Sequence, residues 1–453
     1  MHNETTSSVL GDVVNNRQMG AKQYEVLALC LLVAILDGFD TQVVGFLVSP
    51  MAHSLEVAPA AFGPVFASAL FGLMVGALLL APLADGVGRK KVLLASILTF
   101  GAFSLMTAAV GNFNELLLAR FLTGLGLGGA IPNLVALTSE YMPRRFSRSA
   151  VTLVFCGMPL GAMLAGLTVQ QVLVLWDWRA IFIIGGLLPL AVALIISIRL
   201  PESMEYLARS TKNRTALERI VRQLFPSVGP LPEEIITTHR DKSERTPVKR
   251  LFCDGMWRRT ILLWLPYTMN LLILYSIMSW IPTVLATANA PLSAGIQAII
   301  LFSLGGVIGS ICQGHVMNRY GATQVLVTEF CCYLALVLAL STLPLDMDIF
   351  LTVMFVLGII VQGCQAGLNA VAAEIYPASI RSTGIGWALG VGRIGSILGP
   401  IFGGLILSLG WSLHQIFIAA LLPGAVALGA TLIILLDQVR EAAQTNDRLL
   451  RSQ

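Results

Sequence analysis

Two carboxylates lie in the middle of the first long apolar stretch of the chain. Asp37 and Asp40 are three positions apart in the segment AILDGFDTQ, so in a helix they share one face. A carboxylate inside a membrane-spanning helix costs roughly 3 kcal/mol on insertion scales. Because two such groups repel each other when both are charged, one or both suit the binding of a proton. The alternative is that one pairs with a buried arginine and only orients the helix.

Two arginines also fall within apolar segments. Arg393 lies in GVGRIGSILGP, and Arg120 begins RFLTGLGLGG. A guanidinium at membrane depth faces the protein interior and needs an anion, and its planar fork matches a carboxylate. We expect Arg393 to bind the carboxylate of a substrate, with a permanent salt bridge to Asp37 or Asp40 as the alternative. Arg120 is a secondary site, which either assists ligand and proton coupling through those carboxylates or pairs with them structurally.

Aromatic side chains near these charges can stack against a planar ring. Phe39, between the two carboxylates, is the best candidate, followed by Tyr267 and Trp387, although packing is the simpler explanation for each ring taken alone. The sequence contains no CxxC or other metal-ligand spacing and no GxxxxGK[ST] nucleotide loop. It therefore predicts no metal, no cofactor and no direct use of ATP.

The composition is that of a protein embedded in a membrane. Only 12% of the 453 residues are charged and 56% are hydrophobic, whereas soluble proteins carry about 25% charged residues. Apolar runs of about 18 or more residues recur, and each can cross a bilayer of roughly 30 Å. Because the runs are continuous rather than alternating, they predict helices and not the strands of a barrel.

The predicted fold class is an all-α membrane protein with twelve transmembrane helices. The polar stretch 200–258 is a central loop that divides them into six plus six. The domains are then an N-terminal tail (1–23), an N-terminal bundle (24–199), this loop, a C-terminal bundle (259–437) and a C-terminal tail (438–453). The spans are predicted at residues 24–48, 62–84, 92–110, 115–138, 150–172, 179–199, 259–285, 294–317, 323–342, 348–372, 384–408 and 413–436.

The distribution of basic residues predicts the orientation. With both termini inside, 26 of the 29 Lys and Arg residues lie in inside loops and tails, and only Arg179 lies outside. The remaining two are Arg120 and Arg393 within spans. The net charge of +4 is therefore explained by topology, and it implies no nucleic-acid partner.

The two halves repeat each other at a constant offset. LADGVGRKK, which contains Asp85, has a weak echo in HVMNRYGAT, which contains Asn318, 233 positions later. SEYMPRRFSRS, which contains Glu140, has a clearer echo in AEIYPASIRST, which contains Glu374, 234 positions later. These matches predict two parallel six-helix repeats related by an axis along the membrane normal, an architecture that places a substrate site between the halves near the midplane.

At these residues the chain resembles the major facilitator superfamily. The loop after the second span is similar to its signature, with Ala81 in place of the usual first glycine, and RFLTGLGLGG in the fourth span and LPES after the sixth are also similar to motifs of the superfamily. The resemblance implies a gate at the inner end, in which Asp85 pairs across to the 10–11 or 4–5 region. The implied gate residues are Asp85, Arg89 and Lys90, with Glu140, Arg144, Glu374 and Arg381 as companions.

A narrower resemblance rests on DGFD in the first span, PNLVALTSE at the end of the fourth and Arg393. These segments look like the aromatic acid/proton symporters, which import benzoate-type, hydroxybenzoate and hydroxyphenylpropionate anions into bacteria. The resemblance implies a monomer in the bacterial inner membrane that imports an aromatic carboxylate with protons by alternating access. The alternative is a proton symporter for another organic anion or a sugar-like solute; Arg393 favours an anion. An enzyme would need a catalytic or metal-ligand cluster, and a non-transporting sensor would not need the intramembrane charges.

Overall fold

The computed structural model describes residues 19–208, 214–224, 248–253, 256–342, 346–377 and 380–451. Within them the chain forms fourteen α-helices, and the short 3-10 helices Pro59–Phe62 and Val248–Phe252. The helices are α1 Ala21–Ser54, α2 Gly63–Val87, α3 Arg89–Ala108, α4 Phe113–Tyr141, α5 Arg144–Val172, α6 Trp178–Arg199, α7 Met204–Ala208, α8 Arg214–Leu224, α9 Met256–Thr287, α10 Leu292–Tyr320, α11 Ala322–Thr342, α12 Met347–Ile375, α13 Arg381–Ser408 and α14 Leu413–Arg451.

The helical class and the number of spans are confirmed. Twelve helices of the described chain are long and apolar enough to cross a membrane. Most of them are longer than the predicted spans; α1, for example, extends over Ala21–Ser54, whereas the sequence predicts 24–48. The apolar run marks only the part of a helix that needs to be apolar, and backbone hydrogen bonding continues the helix into the polar residues at either end.

Side-chain caps and two glycines determine where several helices begin. Asn112, Asp177 and Asp346 precede α4, α6 and α12, and their side-chain oxygens accept backbone N–H groups that have no partner in the helix. Gly88 and Gly321 precede α3 and α11 with φ of 113° and 88°, a region that favours glycine. These glycines are 233 positions apart, the offset of the sequence repeat.

Contacts divide the chain into two compact units, residues 1–57 with 68–243 and residues 58–67 with 244–453. In the first unit α1 packs on α5, and α3 packs on α4 and α6. In the second unit α9 packs on α13, and α11 packs on α12 and α14. The same six-helix arrangement is therefore built twice.

The repeat extends to single glycine contacts. A Cβ atom on Gly161 of α5 would overlap the carbonyl oxygen of Ile35 on α1, and a Cβ atom on Gly395 of α13 would overlap the carbonyl oxygen of Thr268 on α9. Gly395 follows Gly161 by 234 positions, and Thr268 follows Ile35 by 233 positions. Small residues allow helix backbones to approach in this way within a membrane. Close packing through a glycine is therefore present in both units.

Candidate functional site

The first unit contains a buried ion pair between α4 and α1. Nη2 of Arg120 lies 2.7 Å from Oδ2 of Asp40, and Nη1 lies 3.2 Å from Oδ1, so the guanidinium binds the carboxylate with both arms of its fork. Nη2 also donates to the Asp40 carbonyl at 3.1 Å. Both side chains are 1% exposed. Arg120 and Asp40 therefore hold the middle of α1 against α4.

Asp37 is buried one turn before Asp40. The hydroxyl of Thr41 donates to its Oδ1 at 3.2 Å. Phe39 is also buried, and its ring lies beside Gly185 of α6. The two carboxylates thus have different partners: Asp40 is bound by Arg120, and Asp37 accepts a hydrogen bond from a hydroxyl. The ring of Phe39 packs against α6, and its contact with a ligand stays a prediction.

Close packing of α1 on α5 fixes the position of these carboxylates. A Cβ atom on Gly38 would overlap the carbonyl oxygen of Met158 on α5. Gly157 of α5 is equally close to Ala34. Glycines on both helices therefore bring the two backbones together around Asp37 and restrict how the middle of α1 can move.

In the second unit, Arg393 of α13 is half-buried and donates from Nη1 to the hydroxyl of Tyr275 on α9, at 3.4 Å. Among the described residues of its own unit, no carboxylate forms an ion pair with it. The alternative of a permanent salt bridge to Asp37 or Asp40 in the first unit stays a prediction. A half-buried guanidinium with a neutral phenol as neighbour is able to bind an anion.

Further polar side chains lie on the same helices of this unit. The hydroxyl of Tyr267 donates to Oδ1 of Asn369 on α12 at 2.7 Å. Nδ2 of Asn270 donates to Oε1 of Gln365, also on α12, at 3.1 Å. Tyr267 is buried, so its ring contributes to packing while its hydroxyl links α9 to α12. Amide and phenol groups of this kind can hydrogen-bond polar substituents of a ligand.

Trp387 is 45% exposed, and its ring stacks on Trp264 of α9 with ring centroids 6.3 Å apart. It precedes Arg393 by six positions, which places the two side chains about 120° apart around α13. The two side chains therefore lie on different faces of α13, and a substrate contact for Trp387 stays a prediction.

At the end of the first unit where α2 meets α3, Arg89 forms a network of ion pairs. It pairs with Glu140, with Glu205 at 3.0 Å and with Asp85 at 3.8 Å. Glu140 also accepts hydrogen bonds from the hydroxyl of Ser203 at 2.8 and 3.0 Å. The Asp85 side chain is 59% exposed and contacts Arg89 one turn away; its pairing with the 10–11 or 4–5 region stays a prediction. Arg89, rather than Asp85, is the centre of the network.

Glu202 of the LPES segment is a residue whose role sequence reasoning missed. Its Oε1 accepts the backbone N–H of Lys90 at 2.9 Å, at the start of α3. Its carbonyl accepts the hydroxyl of Tyr141 at 2.7 Å. The ammonium of Lys90 donates to the carbonyl of Ser197 at 2.8 Å. A carboxylate at a helix N-terminus satisfies orphan N–H groups, so LPES attaches the ends of α4 and α6 to α3.

The equivalent end of the second unit is held differently. Among the described residues, Glu374 forms no ion pair, and Nε of Arg381 donates to the carbonyl of Tyr376 at 3.2 Å. A role for Glu374 and Arg381 as companions of the gate stays a prediction. Arg144 begins α5, and its side chain lies outside the part of the chain that the structure describes. Asn318, at the position equivalent to Asp85, already indicates a weaker network in this half.

The internal repeat also provides a signal for the missed residue Asn270. It lies 233 positions after Asp37, so the two are equivalent in the two halves. Both are buried polar residues on the first helix of their unit. Applying the offset to every intramembrane polar residue identifies Asn270 directly from the sequence.

Comparisons with known proteins agree with this geometry. Residues 30–368 match the Major Facilitator Superfamily. The chain is 34% identical over 421 residues to the 4-hydroxybenzoate transporter PcaK of Pseudomonas aeruginosa, covering 93% of this chain and 94% of the relative. It is 35% identical over 428 residues to the gallate transporter of Pseudomonas putida, with 94% of each covered. The predicted resemblance to aromatic acid transporters is confirmed by these relatives.

A solved structure shows the same fold. The inward-open xylose transporter XylE from E. coli superposes with a TM-score of 0.69 at 15% identity, covering 91% of this chain and 95% of that one. At this identity the likeness concerns the fold alone. The chain belongs to the Major Facilitator Superfamily, and it is a membrane transporter rather than an enzyme.

Proposed function

We propose that this protein is a secondary active transporter that imports a small aromatic carboxylate, of the hydroxybenzoate type, together with protons. The observation that carries the substrate class is Arg393: a half-buried guanidinium in a membrane-spanning helix whose described neighbour is the phenol of Tyr275. A carboxylate supplies the charge that this guanidinium needs in a medium of low dielectric. The relatives named as transporters of 4-hydroxybenzoate and gallate support the same class.

The second part of the proposal concerns hydroxyl groups on the aromatic ring. Tyr267, Asn270, Gln365 and Asn369 form a polar strip along α9 and α12 of the unit that contains Arg393. Phenol and amide groups can exchange their mutual hydrogen bonds for bonds to a hydroxyl substituent at little net cost. This strip favours hydroxylated rings over unsubstituted benzoate.

We assign the transported proton to Asp37. Asp40 is bound by both arms of Arg120, and taking a proton would break that pair. Thr41 is one partner of Asp37, and its hydroxyl tolerates either form of the carboxyl group because it can donate to the anion or accept from the acid. In this assignment Arg120 and Asp40 keep α1 in place, and the proton binds one turn away.

The network around Arg89 acts as a latch in a cycle of alternating access. Its ion pairs with Glu140 and Glu205 join α3 to the end of α4 and to α7. Pairs of this kind break and reform as a transporter changes state, and they bias the equilibrium between states. We place the protein in the bacterial inner membrane with both termini in the cytoplasm, as the basic residues predict.

Uptake into proteoliposomes tests the substrate class. The panel is 4-hydroxybenzoate, gallate, benzoate and, for the sugar alternative, xylose. Arg393→Lys keeps the charge but loses the fork, so we expect the apparent KM for the aromatic acids to rise about tenfold, the equivalent of one charge-assisted hydrogen bond. Arg179→Lys, an exposed arginine paired with Asp177, is the matched control. An unchanged KM in Arg393→Lys, or uptake of xylose alone, would contradict the proposal.

A further inference from the structure

The unit that contains Arg393 also has a carboxylate within a membrane-spanning helix. Glu329 is on α11, seven residues after the first residue of that helix, which is about 10 Å along its axis. Nε2 of Gln313 on α10 donates to its Oε2 at 3.0 Å, and Sγ of Cys364 on α12 donates to the same oxygen at 3.3 Å. Three helices therefore bring polar groups to one carboxylate.

The second oxygen of Glu329 lies beside Gly363 of α12. A Cβ atom on Gly363 of α12 would lie 3.3 Å from Oε1 of Glu329 and 2.9 Å from Oε1 of Gln313. The glycine therefore leaves space at the oxygen that receives neither described donor. A bound proton fits at that oxygen without displacing Gln313 or Cys364.

The first unit shows that the fold does not need this cluster. At the offsets of the repeat, Glu329 corresponds to Ser96, Gln313 to Leu80 and Cys364 to Ala130. The equivalent glycine, Gly129, faces Ser96 and Leu80, just as Gly363 faces Glu329 and Gln313. Each of the three polar residues of the cluster thus occupies a position at which the first unit has a smaller or an apolar residue. Packing of α10, α11 and α12 does not explain the carboxylate.

The surroundings of Glu329 are neutral. Among the described residues it forms no ion pair. The other described titratable side chains on the surrounding helices have partners elsewhere or are exposed. Asp437 of α14 pairs with Arg258, His414 of α14 contacts the Ser341 carbonyl, and Tyr333 of α11 donates to the Ala420 carbonyl. The exposed ones are Cys312, His315, Arg319 and Tyr320 of α10, Cys331 and Cys332 of α11, Asp348 and Glu374 of α12, and Arg440 of α14. A carboxylate at membrane depth with neutral partners is costly when charged and marks a functional position.

We propose that Glu329 is a second proton-binding site, used in the same cycle as Asp37. This inference rests on the proposed proton symport. An O–H bond forms at Oε1 with a proton taken from water on one side of the membrane, and the proton returns to water on the other side after the substrate leaves. Gln313 and Cys364 hold Oε2 in both forms, and Gly363 leaves room for the proton.

The first test measures transport by the variant Glu329→Gln, whose side chain keeps the shape of glutamate but cannot bind or release a proton. We expect this variant to lose accumulation driven by a pH gradient. It should still exchange labelled for unlabelled substrate, because exchange needs no net proton movement. Glu329→Asp, which can titrate, should restore part of the accumulation. Glu115→Gln, at an exposed carboxylate of α4, is the control and should behave as the wild type.

The second test uses the wild-type protein in lipid and therefore does not depend on a variant that folds. The protein is labelled with dicyclohexylcarbodiimide, which attacks protonated carboxyl groups. Mass spectrometry should find Glu329 modified, and the modification should decrease as pH rises. If Glu329→Gln accumulates substrate as the wild type does, or if wild-type Glu329 is unmodified at every pH, the inference is overturned. If wild-type uptake itself ignores the pH gradient, the proposed symport fails, which is a distinct result.

Discussion

The ion pair between Arg120 and Asp40 makes a sharp prediction about stability. Arg120→Met removes one partner of a pair whose side chains are each 1% exposed and leaves the Asp40 carboxylate without its fork. Removing one member of a buried pair costs about 3–5 kcal/mol. For a folding unit of about 150–250 residues, each kcal/mol lowers the melting temperature by roughly 2–4 °C, so we expect a decrease of about 10 °C.

The assay is thermal unfolding of the purified protein in detergent, followed by the fluorescence of a thiol-reactive dye. Arg179→Met is the control, because Arg179 and Asp177 form a pair of similar length, 2.8 Å, that is largely exposed. Exposed pairs contribute about 0–1 kcal/mol, so the control should shift little. The double variant Arg120→Met with Asp40→Leu replaces both charges with apolar groups and should recover most of the lost stability.

Two results would refute this reasoning. If Arg120→Met unfolds within a degree or two of the wild type, as the exposed control should, the pair does not hold α1 against α4. If the double variant is as unstable as the single one, the loss comes from packing of the arginine side chain and not from an uncompensated charge.

Three further predictions concern the rest of the chain. Glu140→Gln removes a charge from the latch network, and we expect faster opening of that end, measured as faster labelling of a cysteine introduced there. Gly395→Val places a side chain against the backbone of α9 and should abolish folded protein in size-exclusion chromatography, whereas Gly386→Ala, which meets no neighbouring atom, should not. Tyr275→Phe removes the described partner of Arg393; a roughly two- to tenfold change in apparent KM is expected, and no change would exclude a role in positioning the guanidinium.

The fold was largely predictable because membrane insertion acts on local composition. Continuous apolar runs define the spans, and the offset between Glu140 and Glu374 reveals the repeat before any helix is placed. The same offset then relates Gly161 to Gly395, although their contacts with neighbouring backbones appear only in three dimensions. The predicted helix ends were inaccurate, because polar residues continue a helix beyond its apolar core, and the short helices α7 and α8 within the stretch 200–258 were not predicted.

The sites were less predictable, because pairing depends on which faces of distant helices meet. Residue types correctly indicated that Asp40 or Asp37 needs a cation, but only the structure shows that Arg120 binds Asp40. Asp85 was favoured as the gate residue from its charge, yet the contacts centre on Arg89. Glu329 escaped notice because it carries no motif; its contrast with the equivalent position in the first repeat is visible only after the offset is applied.

The most direct test of the account measures substrate and protons together. Purified protein in liposomes takes up labelled 4-hydroxybenzoate while a trapped dye reports the internal pH. We predict accumulation that requires an inwardly directed proton gradient, with acidification of the lumen in step with uptake. Both should be lost in Asp37→Asn but not in the control Asp177→Asn, which changes an exposed carboxylate just before α6. Accumulation of 4-hydroxybenzoate without acidification, or full coupling in Asp37→Asn, would contradict the central claim.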